Sequence, residues 1–260
     1  MFAGIDIGSV TTKAVIINDK EETLAFSMIP TGYDRQESGN EVLKQALEII
    51  GKSIDEIKYI VSTGYGRRAF TSSDKVLPEI VCHAMGTKLL FPGVRTIIDI
   101  GGQDSKVIEL DADGMVSRFE MNDKCAAGTG RFLEVLTDRI LNLPIDDLGP
   151  LALKSNQPCI LSSVCTVFAE SEIISLLSEN MAKEDIAYGI SRAIAKRVIS
   201  MGTGGQIDYE EPIVFSGGVA RNIGVAKALG EELDKRILSP ENPQLPAALG
   251  AALYAKEHSK

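Results

Sequence analysis

Two stretches of the chain, GIDIGSVTTKAVII (Gly4–Ile17) and IIDIGGQDSKVIEL (Ile97–Leu110), are copies of one pattern that align without a gap. Each copy is an apolar run ending in Asp, a turn with glycine and polar side chains, and a second β-rich run, which predicts a β-hairpin. The tight turn offers backbone N–H groups, and such a turn can hold phosphate. The aligned pairs are Asp6 and Asp99, Gly8 and Gly101, and Lys13 and Lys106, each 93 positions apart.

Helical and strand-like segments alternate around the two hairpins, which predicts an α/β fold of two duplicated units. The first unit is expected over residues 1–92 and the second over residues 93–245. A proline-rich linker precedes a last helix, 246–260, which we expect to join the first unit. Within the second unit, IVFSGGVARN (Ile213–Asn222) delivers a glycine loop from a buried strand to a helix start, an arrangement suited to an anion or a nucleoside.

Composition excludes several classes of protein. With 260 residues and 44% apolar content the chain is long enough for large cores, and no segment has the run of about 20 apolar residues that a membrane span requires. A formal charge of −9 argues against a nucleic-acid surface. The start of the chain carries no export signal, so a cytoplasmic protein is expected, with thiols kept reduced.

A cysteine among small residues marks the segment NDKCAAGTG (Asn122–Gly130), directly before a helix-like run. Cys125 and Cys165 both precede predicted helices, where the helix dipole and free amides favour a thiolate and hence a metal ligand. A zinc site is the competing metal, although the short CxxC spacing of structural zinc sites is missing. Cys159, six residues before Cys165, is an alternative ligand, but it and Cys82 are expected to pack in apolar surroundings. Glu79 and His83 are expected to make a local helical contact.

Several motifs in one order resemble known families. The paired hairpins and FSGGVARN resemble the phosphate and adenosine motifs of the sugar kinase, heat-shock ATPase and actin superfamily, whose two units face each other across a nucleotide cleft. More narrowly, the chain resembles the activators of 2-hydroxyacyl-CoA dehydratases and the ATPase subunits of benzoyl-CoA reductases. The motifs that carry this resemblance are STGYGR, EIVCHAMG, DIGGQDSK, NDKCAAGTGRFLE and SVCTVFAESE.

The superfamily resemblance implies an ATP/ADP site with Mg²⁺. Asp6 and Asp99 would face the metal through water, because Mg²⁺ dehydrates reluctantly. Gln103 would orient the attacking water or sense the γ-phosphate. Lys13 and Lys106 either compensate phosphate charge or are solvated strand residues. The remaining expected nucleotide contacts are Gly8, Ser9, Thr11, Thr12, Gly101, Gly102, Gly217, Gly218, Arg221 and Gln244.

The narrower resemblance implies an ATP-driven electron donor. A 4Fe-4S cluster prefers four thiolates, and Cys125 and Cys165 of two chains in a homodimer would supply them. The implied acceptor is a 2-hydroxyacyl-CoA dehydratase component, and the donor a ferredoxin- or flavodoxin-like protein; neither a nucleic acid nor a membrane is implied. Two other functions stay open: a sugar or amino-sugar kinase, and a nucleotide-dependent redox sensor whose cysteines form disulfides.

Overall fold

The computed structural model describes residues 1–161 and 165–259, which form two compact units. Unit 1 contains Met1–Val94, Leu110–Val116 and the C-terminal segment from Gln244, and unit 2 contains Arg95–Glu109 and Ser117–Pro243. The end of the predicted last helix, Lys260, and residues 162–164 lie outside the described residues.

Unit 1 is built on a mixed sheet whose strands run in the order β3-β2-β1-β4-β5. β1 pairs antiparallel with β2, as the hairpin pattern predicts, and parallel with β4 on its other side. The strands are β1 (Phe2–Ile7), β2 (Thr11–Ile17), β3 (Thr23–Pro30), β4 (Tyr59–Thr63) and β5 (Lys75–Val76), and the helices are α1 (Arg35–Ile49), α2 (Glu79–Leu90) and, from the end of the chain, α8 (Pro246–His258).

Helices cover both faces of this sheet, and the side chains that its central strands direct to each face are apolar. Ala3, Ile5 and Ile7 of β1 pack in one core with α1. Phe2 of β1 and Val15 of β2 pack on the opposite side in a second core with α8. The near-continuous apolar runs in β1 and β2 are therefore explained by helices on both sides of the sheet.

Glycines allow α2 and α8 to approach each other and the sheet closely. A Cβ on Gly250 would overlap the carbonyl oxygen of Cys82, and one on Gly86 would overlap the carbonyl oxygen of Pro246. On the sheet side, a Cβ on Gly4 would overlap the carbonyl oxygen of Ala248. These contacts fix the separation of the two helices at backbone-to-backbone distance.

Helix α1 begins earlier than the sequence indicates. The apolar pattern of NEVLKQALEIIGKSID predicts a helix from Asn40, but α1 begins at Arg35, where the Asp34 carboxylate accepts a hydrogen bond of 3.0 Å from the backbone N–H of Glu37. Gly39, a poor helix former, lies inside the helix because its bare Cα packs against the ring of Phe70. Tertiary packing thus overrides local propensity.

Unit 2 repeats the arrangement of strands found in unit 1. Its sheet has the order β10-β9-β6-β7-β8, with β6 antiparallel to β7 and parallel to β9. The strands are β6 (Thr96–Ile100), β7 (Ser105–Leu110), β8 (Val116–Asn122), β9 (Ile213–Ser216) and β10 (Ile237–Leu238), and the helices are α3 (Gly130–Glu134), α4 (Ile145–Ala152), α5 (Thr166–Ser178), α6 (Lys183–Gly204) and α7 (Ile223–Leu233).

The helices of unit 2 form one large core with the inner face of its sheet. The run after Gly130, predicted as one helix, is α3 followed by wider π-helical turns over Val135–Leu141. Helix α4 was not expected from the sequence, since Gly149 and Pro150 disfavour a helix. It forms because Leu148 and Ala152 are buried in the core, and Gly149 allows contact with the start of α7.

Within the described residues, no helix is both long enough and apolar enough to cross a membrane.

The first prediction concerns the contact between α2 and α8. Gly250→Ala should lower the free energy of unfolding by about 3 kcal/mol, because the added methyl overlaps backbone that cannot retreat without separating the helices. The matched control is Gly204→Ala at the end of α6, where nothing lies within 4 Å of the added carbon. Urea denaturation gives both values, and equal midpoints for the two variants would contradict this account of the packing.

Candidate functional site

The two repeated hairpins have matching turns. In the first, the backbone N–H of Gly8 donates to the carbonyl oxygen of Thr11 over 3.1 Å. In the second, the N–H of Gly101 donates to the carbonyl oxygen of Asp104 over 2.9 Å, at positions that the repeat aligns. The predicted hairpins are confirmed, and the repeat extends to their hydrogen bonds.

Each hairpin contains a buried ion pair between its two strands. Lys13 Nζ lies 3.0 Å from Asp6 Oδ2, and Lys106 Nζ lies 3.1 Å from Asp99 Oδ2. The strand register places each lysine directly opposite its aspartate, so both side chains lie on the same face of the sheet. The lysines are only 9% and 1% exposed, so the alternative that they are solvated strand residues is wrong.

The two aspartates differ in the partner of their second oxygen. Asp99 Oδ1 accepts a hydrogen bond of 2.9 Å from the Ser216 hydroxyl at the end of β9. Asp6 Oδ1 is buried and has no hydrogen-bond partner among the described residues. A buried carboxylate oxygen without a partner is costly, and a cation or a metal-bound water would satisfy it. The first hairpin therefore fits a hydrated Mg²⁺, whose ligands are oxygens.

The loop after β4 lies directly against Asp6. Gly64 has a φ of 87°, and a Cβ there would overlap Asp6 Oδ1 and the carbonyl oxygen of Ile7. The N–H of Gly66 donates to that same carbonyl oxygen over 2.8 Å. Both glycines belong to the STGYGR motif, whose residues had no expected role in the site; the glycine spacing was the available signal.

The hydroxyl groups of the first turn have two different environments. The side chain of Thr12 is buried and lies 2.9 Å from the Thr31 hydroxyl, which in turn donates to the carbonyl oxygen of Gly8 over 3.0 Å. Ser9 and Thr11 are partly exposed. Thr12 thus supports the turn from within, whereas Ser9 and Thr11 are accessible to a ligand.

The second turn carries an additional charge and an exposed amide. Asp104 Oδ2 lies 2.5 Å from Lys106 Nζ, so one buried ammonium contacts two carboxylates. Asp104 was not among the expected site residues, although its position beside the aligned lysine was visible in the repeat. Gln103 is exposed at the tip of the turn, and Gly101 and Gly102 are partly exposed beside it.

The glycine loop after β9 approaches the second hairpin. Gly217 has a φ of 88°, and a Cβ there would overlap the carbonyl oxygen of Ile100 at the end of β6. Its N–H donates to the carbonyl oxygen of Pro243 over 2.7 Å, directly before Gln244. Gly218 opens a short 3₁₀ turn that ends at Arg221, whose guanidinium is largely exposed and 3.8 Å from the Asp146 carboxylate.

Cys125 lies in a compact turn between β8 and α3. The Asn122 side chain closes this turn: its oxygen accepts from the N–H of Cys125 over 3.0 Å, and its nitrogen donates to the carbonyl oxygens of Cys125 and Ala127. The thiol itself is partly buried. Asn122 stood within the quoted motif but was not assigned a role.

Among the described residues, the expected free helix-start amides next to Cys125 are absent, so that prediction is wrong. The helix begins five residues later, at Gly130, and its first two N–H groups already have partners. Gly130 donates to the carbonyl oxygen of Gly101 and Arg131 donates to that of Gly102, both over 2.8 Å. These amides are occupied by the second hairpin turn, so they are not available to the thiol.

Cys165 agrees with the expected position at a helix start. It is the N-cap residue of α5, and it is exposed. Val167 and Phe168 beside it are 64% and 70% exposed, which is unusual for side chains of this size. The preceding residues of SSVC, 162–164, lie outside the described part of the chain.

The two other cysteines are buried in apolar cores, as expected. Cys82 is fully buried in α2, and burial raises the pKa of its thiol to about 12. Burial also raises the pKa of the Cys159 thiol, which packs in the core of unit 2. In the helix that carries Cys82, Glu79 Oε1 lies 3.5 Å from His83 Nε2, the local pair expected from their spacing.

Two of the four thiols of the chain are accessible to a metal centre. Cys125 and Cys165 are the cysteines that are not buried, and they are 40 positions apart in the chain. Two cysteines per chain are half of the set of four that a 4Fe-4S cluster or a Cys₄ zinc site uses. A second copy of the chain would complete that set.

Comparison with known proteins agrees with these features. The family model described as the BadF/BadG/BcrA/BcrD ATPase family matches residues 3–255. A 2-hydroxyisocaproyl-CoA dehydratase activator of Clostridioides difficile is 45% identical over 99% of this chain and 95% of its own length. An (R)-2-hydroxyglutaryl-CoA dehydratase activating ATPase of Acidaminococcus fermentans is 44% identical over 97% of this chain and 95% of its own length.

Solved structures show the same fold. The activator of the 2-hydroxyisocaproyl-CoA dehydratase from Clostridium difficile, solved with bound ADPNP, superposes with a TM-score of 0.93 at 45% identity, covering 100% of this chain and 96% of that chain. A glucokinase of the ROK family from Streptomyces griseus has a TM-score of 0.61 at 13% identity, covering 98% and 99%. The second likeness shows the fold alone.

The family match spans nearly the whole chain, and the two relatives at 45% and 44% identity match nearly its full length. These matches confirm the resemblance identified from the motifs. The chain belongs to the BadF/BadG/BcrA/BcrD ATPase family.

Proposed function

We propose that this chain is an ATP-dependent iron-sulfur electron donor that activates a 2-hydroxyacyl-CoA dehydratase. The observation that carries the proposal lies in unit 2, where Gly101 and Gly102 of the second turn contact the start of α3, which begins five residues after the partly exposed Cys125. A phosphate-type turn and an accessible thiol therefore share one folded body. Two relatives at 45% and 44% identity are named dehydratase activators, which supports the same activity here.

The nucleotide is assigned to the two hairpin turns and the loop at Gly217. In the first turn, Gly8, Ser9 and Thr11 contact the phosphates, with Thr12 and Lys13 supporting the turn from inside. In the second turn, Gly101 and Gly102 contact the phosphates, with Lys106 fixing the carboxylate behind them. The adenosine is assigned to Gly217, Gly218, Arg221 and Gln244.

Asp6 and Asp99 are assigned to Mg²⁺, each through bound water. The partner lysine holds one oxygen of each carboxylate, so the direction of the other oxygen is set before ligand binding. Asp6 Oδ1 is available to a metal-bound water, since the described residues offer it no hydrogen bond. Gln103, exposed at its turn, is assigned to the water that attacks the γ-phosphate, because a neutral amide can orient water without competing for its proton.

Cys125 and Cys165 are the proposed ligands of one 4Fe-4S cluster shared by two subunits. When bound, such a cluster supplies one-electron redox chemistry at low potential. The exposed apolar side chains of Val167 and Phe168 surround Cys165, and burial of this surface against a second copy would favour a homodimer. The proposed acceptor is the dehydratase component, and the proposed donor is a ferredoxin- or flavodoxin-like protein.

The alternative of a sugar or amino-sugar kinase is not favoured, because its support is a likeness of fold at 13% identity. The alternative of a disulfide-forming redox sensor requires the same two cysteines. Iron content and the absorption spectrum of protein purified without oxygen distinguish it from the cluster. Iron-free protein that binds nucleotide would favour the sensor.

The second prediction tests the cluster ligands. Cys125→Ser and Cys165→Ser should each reduce bound iron by at least about tenfold. Both chains of the homodimer carry the substitution, so each variant loses two of the four cluster ligands. Iron per dimer and the visible spectrum of anaerobic protein give the result.

Two matched controls come from the same chain. Cys82→Ser and Cys159→Ser alter buried cysteines and should keep wild-type iron, at some cost in stability. Iron retained in Cys125→Ser but lost in Cys159→Ser would overturn the ligand assignment. One complete cluster per monomer would overturn the shared site.

The third prediction tests the metal and water assignments. Asp6→Asn should weaken binding of Mg²⁺-ATP by at least about tenfold, since the amide has no charge for the cation. Gln103→Ala should retain nucleotide binding and lose about 100-fold or more of the hydrolysis rate. Calorimetry and phosphate release measure the two effects.

Asp19→Asn is the control, because it removes an exposed carboxylate paired with Lys58 at 3.0 Å in the same unit. It should bind and hydrolyse ATP as the wild type does. Wild-type affinity in Asp6→Asn would remove Asp6 from the metal site, and wild-type turnover in Gln103→Ala would remove Gln103 from catalysis.

A further inference from the structure

A direct hydrogen-bonded connection joins the second hairpin turn to the loop that carries Cys125. The first two N–H groups of α3, at Gly130 and Arg131, donate over 2.8 Å to the carbonyl oxygens of Gly101 and Gly102. Helix-start amides have no partner within their own helix and must find one elsewhere. Here they are fixed to the turn proposed to hold phosphate, and all of these residues belong to unit 2.

The connection continues from the start of α3 to the thiol. Thr129, the N-cap residue of α3, directs both its N–H and its hydroxyl to the carbonyl oxygen of Ala126, over 3.1 and 2.7 Å. The residue before Ala126 is Cys125, and the Asn122 side chain bonds its backbone at two points. The Asn122 oxygen accepts from the N–H of Cys125, and the Asn122 nitrogen donates to the carbonyl oxygen of Cys125. A displacement of the Gly101–Gly102 peptides would therefore be transmitted to Cys125 through short, consecutive contacts.

Gly130 occupies the tightest point of this connection. A Cβ at this position would lie 3.0 Å from the carbonyl oxygen of Gly101, 3.2 Å from Gly102 Cα and 3.4 Å from Val219 Cγ2. Alanine is a better helix former by about 1 kcal/mol, so glycine at the start of a helix needs a local reason. The close approach of the hairpin turn supplies that reason, because Gly130 has an ordinary negative φ.

We propose that Gly130 is a positioning residue that couples the Gly101–Gly102 turn to the Cys125 loop, so that nucleoside triphosphate at the turn changes the access of reagents to the Cys125 thiol. This inference rests on the proposed function, since it requires the turn to bind nucleotide. It goes beyond that function by assigning the coupling to a contact within unit 2. Nucleotide orders the turn, the turn holds the start of α3, and the Cys125 loop becomes less mobile.

The fourth prediction is a test on the iron-free full-length chain, which keeps the readout independent of electron transfer. Alkylation of Cys125 by iodoacetamide is followed by peptide mass spectrometry, with and without saturating Mg²⁺-ADPNP. In the wild type, nucleotide should slow alkylation of Cys125 by roughly fivefold or more, the usual size of a coupling between sites. Cys165 in the same sample is the internal reference.

Gly130→Ala should bind Mg²⁺-ADPNP by calorimetry, and alkylation of its Cys125 should no longer respond to nucleotide. The added methyl requires a shift of a few tenths of an ångström at the turn, so the fold should persist. Gly204→Ala, an equivalent change in α6 with open space around it, should respond as the wild type does. Asn122→Ala, which releases the loop at its other end, should also lose the response, and it provides the test if Gly130→Ala does not fold.

The possible results separate the inference from the proposed function. Wild-type protein that binds nucleotide without any change at Cys125 overturns the inference and leaves the nucleotide site in place. A full response in Gly130→Ala, or in Asn122→Ala where the first variant is unfolded, overturns it as well. An equal change at Cys125 and Cys165 indicates a change of the whole unit and overturns the local connection. Absence of nucleotide binding in the wild type overturns both proposals, and calorimetry identifies that case.

Discussion

The buried ion pair between the two strands of each hairpin is the constraint on which the candidate site depends. Lys13 opposite Asp6, and Lys106 opposite Asp99, place a charge of each sign inside a sheet whose neighbouring side chains are apolar. Taking one such charge out of water without the other would cost several kcal/mol. The pair therefore fixes the strand register and the direction of each carboxylate next to the turn.

The two ion pairs differ in the hydrogen-bond partners that surrounding residues offer to the aspartate. In unit 2, the Ser216 hydroxyl donates to the second oxygen of Asp99, and Asp104 is a second carboxylate beside Lys106. In unit 1, the Gly64 loop packs on Asp6, yet the described residues offer Asp6 Oδ1 no hydrogen bond. A duplicated motif has thus acquired an asymmetry: one copy is closed by its own side chains, and the other keeps an oxygen suited to a hydrated cation.

Much of the architecture could be predicted because the repeat aligns without a gap and its apolar runs have the length of strands. Two helices show where this approach fails. The start of α1 depends on the Asp34 cap and on Phe70 packing over Gly39, and α4 forms despite Pro150 because its apolar face is buried. In both cases the deciding contact comes from residues distant in the chain or from a core that local propensity does not describe.

The sequence by itself determined the family, the duplicated α/β fold, the paired aspartates and the two cysteines of interest, because each is a pattern of residue types at fixed spacing. The tertiary structure decided what those residues touch. It buried both lysines against carboxylates and directed the Gly130 and Arg131 amides to the second turn and not to the thiol. The physical reason is that register, burial and hydrogen-bond partners depend on which strands and helix ends meet in space, and spacing along the chain does not specify that.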